Sequence, residues 1–295
     1  MGQPKSVHIP VQWFKDSIYT LYLFTKADYH TLFFPILIFA CVAGPVRSPF
    51  HFTAAIAWTW LHLLQCNISN QYRSVAEDAG NKSWRPLPAK RITLEQSSQL
   101  HAAVTLLCLL VSAPSGWRMA LVSVTLTVTT ILYDNLRMSA HWAKRVICVV
   151  TGYGIFEYGA TKVIGASGSV PLDNTAWAAI ASSLLVIATT AHVGDFPDVE
   201  GDIQDGRWTI PIAFPEISRV ITPILILFWS MFMALRWELG LFNGVSLVLM
   251  GALVAYRNLV LRDWSSDKRT YVLHSMWLLT IHLLPMQARW NMLCY

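Results

Sequence analysis

Charge is scarce in this sequence. Only 13% of its 295 residues are Asp, Glu, Lys or Arg, while 54% are hydrophobic. A soluble domain carries roughly 25% charged residues, so an ordinary water-soluble enzyme is excluded and a membrane protein is indicated. Paired cysteine spacing is also missing. Cys41, Cys66, Cys108, Cys148 and Cys294 are scattered, odd in number and form no CxxC, so they read as small apolar packing residues rather than redox or zinc chemistry. The N-terminus has no short apolar stretch ending in a small-residue cleavage site, and Gly2 lacks a convincing acylation context.

What the chain does have is apolar runs. A spanning helix needs roughly 20 mostly apolar residues, and nine candidates follow one another: 16–43, 52–69, 99–111, 120–136, 146–163, 175–193, 220–235, 241–255 and 271–284. The third, eighth and ninth are short and are expected to extend into their polar flanks. The basic residues test this count independently, because they collect on the cytosolic side of a membrane protein. Nine spans leave only Arg47, Arg118, Lys162, Arg236 and Arg289 on one side and put the remaining 17 of the 22 Lys and Arg on the other, together with the N-terminus. The fold expected is therefore all-α: a single domain over residues 1–295, an integral membrane bundle of nine helices, with residues 1–15 as a cytosolic N-terminal segment. The net charge of +5 follows from this asymmetry and from anion binding, and no nucleic-acid partner is expected.

The two longest cytosolic connections follow the second and sixth spans and hold most of the acidic residues. The first carries Asn70, Gln71, Ser74, Glu77 and Asp78. Asn70, Ser74 and Asp78 stand at i, i+4 and i+8 and share one helix face. An amide, a hydroxyl and a carboxylate form an oxygen-only set suited to Mg²⁺ together with phosphate oxygens, and Glu77 is a possible further ligand. Lys82 and Arg85 follow as the cationic side of a diphosphate clamp, before Pro86 and Pro88 end the helix. The second connection carries Asp195, Asp198 and Asp202 at i, i+3 and i+7, with Glu200, Asp205 and Arg207 beside them. Carboxylates this close at a membrane helix end repel one another unless cations stand between them. A solvated acidic loop is the plainer alternative for each motif.

A third group, Tyr133, Asp134, Lys144 and Arg145, lies between the fourth and fifth spans on the same side. Lys144 and Arg145 either reach a diphosphate or anchor the helix at the headgroups. His141 reads as structural. Beneath the motifs the bundle is expected to enclose a central apolar cavity open to the cytosol, with Trp58, Tyr153, Phe156 and Tyr158 as candidate lining aromatics.

Taken together, Asn70…Asp78 followed by RPLPAKRIT, and Asp195…Asp202 followed by RWTIPI, resemble the UbiA superfamily of membrane prenyltransferases over nearly the whole chain. The usual first motif, NDxxDxxxD, is altered here. NQYRSVAED, NKSWRPLP and HWAKR are similar instead to the fungal UbiA-type terpene cyclases, and the Asn/Ser/Asp pattern is similar to the metal triad of soluble class I cyclases. The resemblance implies a UbiA-like fold in the endoplasmic reticulum membrane and Mg²⁺-dependent ionisation of a linear isoprenyl diphosphate. It further implies that Asn70, Ser74, Asp78, Asp195, Asp198 and Asp202 carry the metal chemistry, and that Lys82, Arg85, Tyr133, Lys144, Arg145 and Arg207 bind diphosphate. Intramolecular cyclisation is then expected, with a fifteen-carbon chain favoured over a twenty-carbon one. Prenylation of an aromatic or other small acceptor is the alternative. A transporter fits poorly, because the acidic residues cluster at one surface and no inverted repeat is visible.

Overall fold

In the computed structural model, residues 8–166 and 171–294 are described. Their regular secondary structure is helical, apart from one isolated bridge between His141 and Trp208. The N-terminal half contains α1 (His8–Thr25), α2 (Phe34–Ala43), α3 (Pro49–Arg73), the short α4 (Val75–Asn81), α5 (Leu94–Ser112), α6 (Trp117–Thr130) and α7 (Trp142–Ile164). The rest forms α8 (Asn174–Thr190), the short α9 (Val199–Gln204) and α10 (Ile210–Ala213), α11 (Pro215–Arg236), α12 (Leu241–Val260), α13 (Trp264–Leu283) and α14 (Pro285–Trp290). Of the expected N-terminal segment, residues 8–15 already belong to α1, and residues 1–7 lie outside the described residues.

Five helical runs are apolar and long enough to cross a membrane: Gln12–Ala43, Leu94–Ser115, Asn174–Gln204, Pro215–Arg236 and Leu241–Val260. The other four expected spans fall on α3, α6, α7 and α13. Three of these are long but bury polar side chains inside the bundle, among them Gln65 and Gln71 on α3, Glu157 on α7 and Asp267 and His274 on α13. That polar content is why composition alone does not mark them. The short third, eighth and ninth runs do extend into polar flanks, to 19, 20 and 20 residues.

Helix α7 packs on α2, α3, α6 and α8, while α11, α12 and α13 form a sequential stack that closes back onto α2. The approach of α3 to α7 is tight. A Cβ on Gly159 would sit 2.2 Å from the Trp58 ring, which is itself fixed by its indole N–H donating to Ser112 at 2.8 Å. Trp58 is thus a packing residue, not a cavity wall. One buried ion pair organises the other half. Arg219 on α11 makes two bonds, 2.7 and 2.6 Å, to Asp267 on α13, donates to the Asn258 carbonyl of α12, and lies 3.9 Å over the Phe196 ring. Three helices and the second acidic segment are therefore tied to one guanidinium. At the opposite end, Arg289 joins Asp173 to the Ala43 carbonyl, fastening α14, α2 and the start of α8.

Candidate active site

The first motif sits where α3 gives way to α4. Ser74 leaves helical geometry (φ −104°, ψ 22°), yet its amide still bonds the Asn70 carbonyl while the Asp78 amide bonds its own. The expected shared face of Asn70, Ser74 and Asp78 is therefore kept, and all three line one cavity lobe. The Ser74 hydroxyl donates to Asp78 at 2.9 Å. Asn70 gives its amide nitrogen to Asp134 at 3.1 Å, and Ser69 donates to the same carboxylate at 2.7 Å. With its NH₂ so engaged, Asn70 has its carbonyl oxygen left as the free acceptor. Gln71 takes no part: it is buried and donates to the Phe24 carbonyl of α1 at 2.7 Å.

The second motif is not the single α-helical face its spacing suggests. Ala191–Asp198 is a 3₁₀ run containing Pro197, and α9 starts only at Val199. Pro197 has no N–H to give an α-helix, and three residues per turn eclipse Asp195 with Asp198. Asp195 and Asp202 are buried, whereas Asp198 is exposed and lines both lobes.

Arginines stand between these carboxylates. Arg85 clamps both oxygens of Asp78 at 2.7 and 2.8 Å. Arg145 bonds Asp195 at 2.6 Å and the Tyr133 hydroxyl at 2.8 Å. Arg207 bonds Glu77 of the first motif at 2.8 Å, and Asp202 and Asp205 of the second at 3.1 and 2.9 Å. It reaches them because Gly206, at φ +68°, takes the left-handed turn that glycine tolerates and folds Arg207 back over α9. Burial works against the Arg207 charge, but Glu77, Asp202 and Asp205 outweigh it and raise its pKa. The loop before α7 is stitched to the same segment: Trp142 and Trp208 exchange backbone bonds with Trp208 and Ala140 at 2.8 and 2.7 Å. His141, as expected, is structural. It caps α7 by accepting from the Ala143 amide.

Lys82 lines both lobes, and no ion pair engages it among the described residues. Lys144 is different. It is exposed and lines neither lobe, because α7 turns its neighbour Arg145 inward. The lobes, about 530 and 350 Å³, share Asp28, Leu32, Tyr133, Val149 and Tyr153 as walls. Phe156 joins Tyr153 in the smaller lobe, but Tyr158 lies outside both, against Trp177. Three further groups on the larger lobe carried no sequence signal: Tyr271, His274 and Lys268, the last held 3.6 Å over the Trp264 ring.

Among the described residues no three His, Cys, Asp or Glu side chains converge closely enough to hold a metal unaided. Yet the donors fit a hard cation completed by other oxygens. Asn70, Ser74, Asp78 and Asp198 line the smaller lobe together, and Asp202, which lines neither lobe, has one carboxylate oxygen buried without a hydrogen-bond partner.

A family model, the UbiA prenyltransferase family, matches residues 32–281. The chain belongs to this family. It is 26% identical over 290 residues to the fumagillin β-trans-bergamotene synthase of Aspergillus fumigatus, covering 95% of each chain. To a diterpene cyclase of Hericium erinaceus it is 27% identical, covering 85% of this chain and 82% of that one. The fold matches a solved UbiA homologue from Archaeoglobus fulgidus bound to GPP and Mg²⁺, with TM-score 0.64 at 14% identity over 91% of this chain and 99% of that one.

Arg207 is, among the described residues, the one cation that bonds carboxylates of both motifs. Arg207→Ala is expected to cost about 2 kcal/mol, between an exposed and a fully buried broken pair, read as a lower melting temperature in detergent. Adding Asp202→Asn removes the stranded charge and recovers most of the loss. An unchanged melting temperature in the single variant would contradict this placement.

Proposed function

We propose that this UbiA-family chain is a membrane-bound, Mg²⁺-dependent class I terpene cyclase, a single domain over residues 1–295. Its nine helices cross the endoplasmic reticulum membrane, and the N-terminus and cavity mouth face the cytosol. The observation that carries the reading is the meeting of two oxygen-rich motifs, bridged by Arg207, at a cavity that also has aromatic side chains on its walls.

In this reading Asn70, Ser74, Asp78, Asp195, Asp198 and Asp202 hold Mg²⁺, with Glu77 as a further ligand. Bound Mg²⁺ supplies Lewis-acid neutralisation of the leaving charge. Lys82, Arg85, Arg145 and Arg207 bind the diphosphate oxygens, and the Tyr133 hydroxyl orients Arg145. The C–O bond of the isoprenyl diphosphate breaks, and its electron pair leaves with the diphosphate. The resulting allylic cation lies among Tyr153, Phe156 and Tyr271, whose faces stabilise positive charge. Leu32, Val149, Ile187 and Leu278 exclude water, so a distal double bond attacks the cation before solvent does. Farnesyl diphosphate is the favoured substrate, with geranylgeranyl diphosphate as the longer option.

Transfer to an aromatic or other small acceptor uses the same ionising residues and is the second reading. The cyclase is preferred because Ser74 stands where acceptor-prenylating relatives have a carboxylate, and because the chain is similar along most of its length to a bergamotene synthase and a diterpene cyclase.

The test is a product assay with either diphosphate, Mg²⁺ and no acceptor, read by gas chromatography with mass detection. A cyclic hydrocarbon or alcohol that disappears with EDTA is expected. Turnover that requires an aromatic acceptor would favour the transferase. A second measurement separates two lysines that are close in kind but not in position. Lys82→Ala should raise KM about tenfold, equivalent to about 1.4 kcal/mol, while Lys144→Ala should change it by less than about twofold. The reverse order would return Lys144 to the site.

A further inference from the structure

The first long helical run is broken in the middle. Between α1 and α2, Lys26–Asp28 is 3₁₀ and Tyr29–Phe33 is a π turn. Such irregularities cost helical hydrogen bonding and recur at functional positions. This one faces Asp28 into the cavity, where it is a wall of both lobes. An ionisable side chain inside a membrane-spanning run is expensive and marks function by default, and here Lys26 and His30 flank Asp28 in the sequence.

Among the described residues, Asp28 lacks an arginine partner, as do Asp134, whose two oxygens accept from Ser69 and Asn70, and the exposed Asp198 of the second motif. Glu77, Asp78, Asp195 and Asp202 each bond an arginine. Asp28 has no ion pair among the described residues: its Oδ2 accepts from the Asn67 amide at 2.8 Å, and its Oδ1 has only a long 3.5 Å contact from the Thr31 hydroxyl. The neighbouring cation, Lys26, is turned away and lies 4.8 Å over the Trp84 ring. Asn67 is itself locked, because the same amide nitrogen also donates to the Phe24 carbonyl at 3.1 Å. Depth follows from helix geometry. Asn67 precedes Asn70 by three residues on α3, about 4.5 Å along the axis, so Asp28 stands below the oxygen-rich mouth. Leu32, Val149 and Tyr153 line both lobes with it, as do Lys82, Arg145 and Asp198.

We propose that Asp28 is the proton acceptor that ends the cyclisation, an inference that rests on the cyclase reading. A cyclised cation is quenched to an olefin when a C–H bond next to the cationic carbon breaks. Its electron pair becomes the new C=C, and the proton passes to Oδ1 of Asp28, giving a neutral carboxylic acid. That proton leaves to solvent or to the released diphosphate when the cavity empties, and the carboxylate is restored. Until then the unpaired negative charge faces the migrating positive charge from below the mouth. The reach of this one oxygen fixes which C–H is lost, and so which olefin forms.

The experiment compares wild type, Asp28→Asn and Asp28→Glu, purified in detergent with Mg²⁺ and the preferred isoprenyl diphosphate. Diphosphate release and the product profile are measured on the same samples, with a melting temperature for each variant. Asp28→Asn is expected to release diphosphate within about threefold of wild type. Its original olefin should fall at least tenfold, replaced by water-captured alcohols or olefins with the double bond elsewhere. Asp28→Glu should restore a carboxylate and part of the original olefin. An unchanged product profile in Asp28→Asn overturns the proposal, as does parallel loss of diphosphate release in a variant that melts like wild type. If Asp28→Asn melts early, Asp28→Glu decides: a displaced carboxylate shifts the olefin isomer ratio, and an unshifted ratio overturns the assignment. A wild type that forms only alcohols also overturns it. A wild type with no cyclic product at all defeats the cyclase reading itself, whereas cyclic product with an indifferent Asp28→Asn defeats Asp28 alone.

Discussion

Everything at the mouth of this bundle depends on how its carboxylates are neutralised. Glu77, Asp78, Asp195 and Asp202 crowd one end of the helices, and three arginines hold them there. Arg207 matters most, since among the described residues it alone forms ion pairs with carboxylates of both motifs. Charge-assisted bonds of this kind are short and geometrically demanding, so they preorganise the carboxylates before any substrate arrives. They also set a condition on metal binding. A divalent cation arriving alone meets carboxylates already paired with arginine. A diphosphate arriving with it offers the arginines a new anion and supplies the oxygens that the metal set lacks. The two ligands are therefore expected to bind as a unit.

The rest of the fold supports that arrangement from behind. Arg219 and Asp267 fasten α11 to α13 and press the Arg219 guanidinium onto Phe196, next to Asp195. Below the cavity a second polar knot joins α7, α8 and α13: Ser183 donates to Glu157 at 2.5 Å and meets His282 at 2.9 Å. Glu157, Ser183 and His282 each lie four residues, one helical turn, from the cavity-lining Tyr153, Ile187 and Leu278. Buried networks in an apolar bundle fix register where hydrophobic contacts alone are permissive. The result is a cavity of mixed charged, aromatic and aliphatic lining, braced from behind by buried polar contacts.

Much of this was legible in the sequence because its signals were periodic or clustered. Asn70, Ser74 and Asp78 share a face at i, i+4 and i+8, and the backbone bonds from Ser74 to Asn70 and from Asp78 to Ser74 preserve it across the helix break. The Asp195, Asp198 and Asp202 spacing located the second motif but not its conformation, because Pro197 forces 3₁₀ winding where the spacing suggests an α-helix. Lys144 and Arg145 are indistinguishable as adjacent cations, and only the rotation of α7 selects Arg145. Gln71 sits in the motif yet serves α1. Asp28, Lys268 and Tyr271 were invisible as site residues. One carboxylate between Lys26 and His30 in a long, mostly apolar run has no helical pattern with other site residues, and it is the break at Lys26–Phe33 that turns it inward. Trp58 and Tyr158 failed as cavity aromatics for a related reason: a ring's direction follows from close approaches such as that at Gly159, which no periodicity encodes.

The most direct test of this account measures binding, not turnover. Mn²⁺, followed by electron paramagnetic resonance as a stand-in for Mg²⁺, is titrated into the detergent-purified protein with and without inorganic diphosphate. The arginine-paired carboxylates predict weak metal binding alone and at least tenfold tighter binding with diphosphate, with the gain lost in Asp195→Ala. Metal binding equally tight in both conditions, and indifferent to Asp195→Ala, would contradict it.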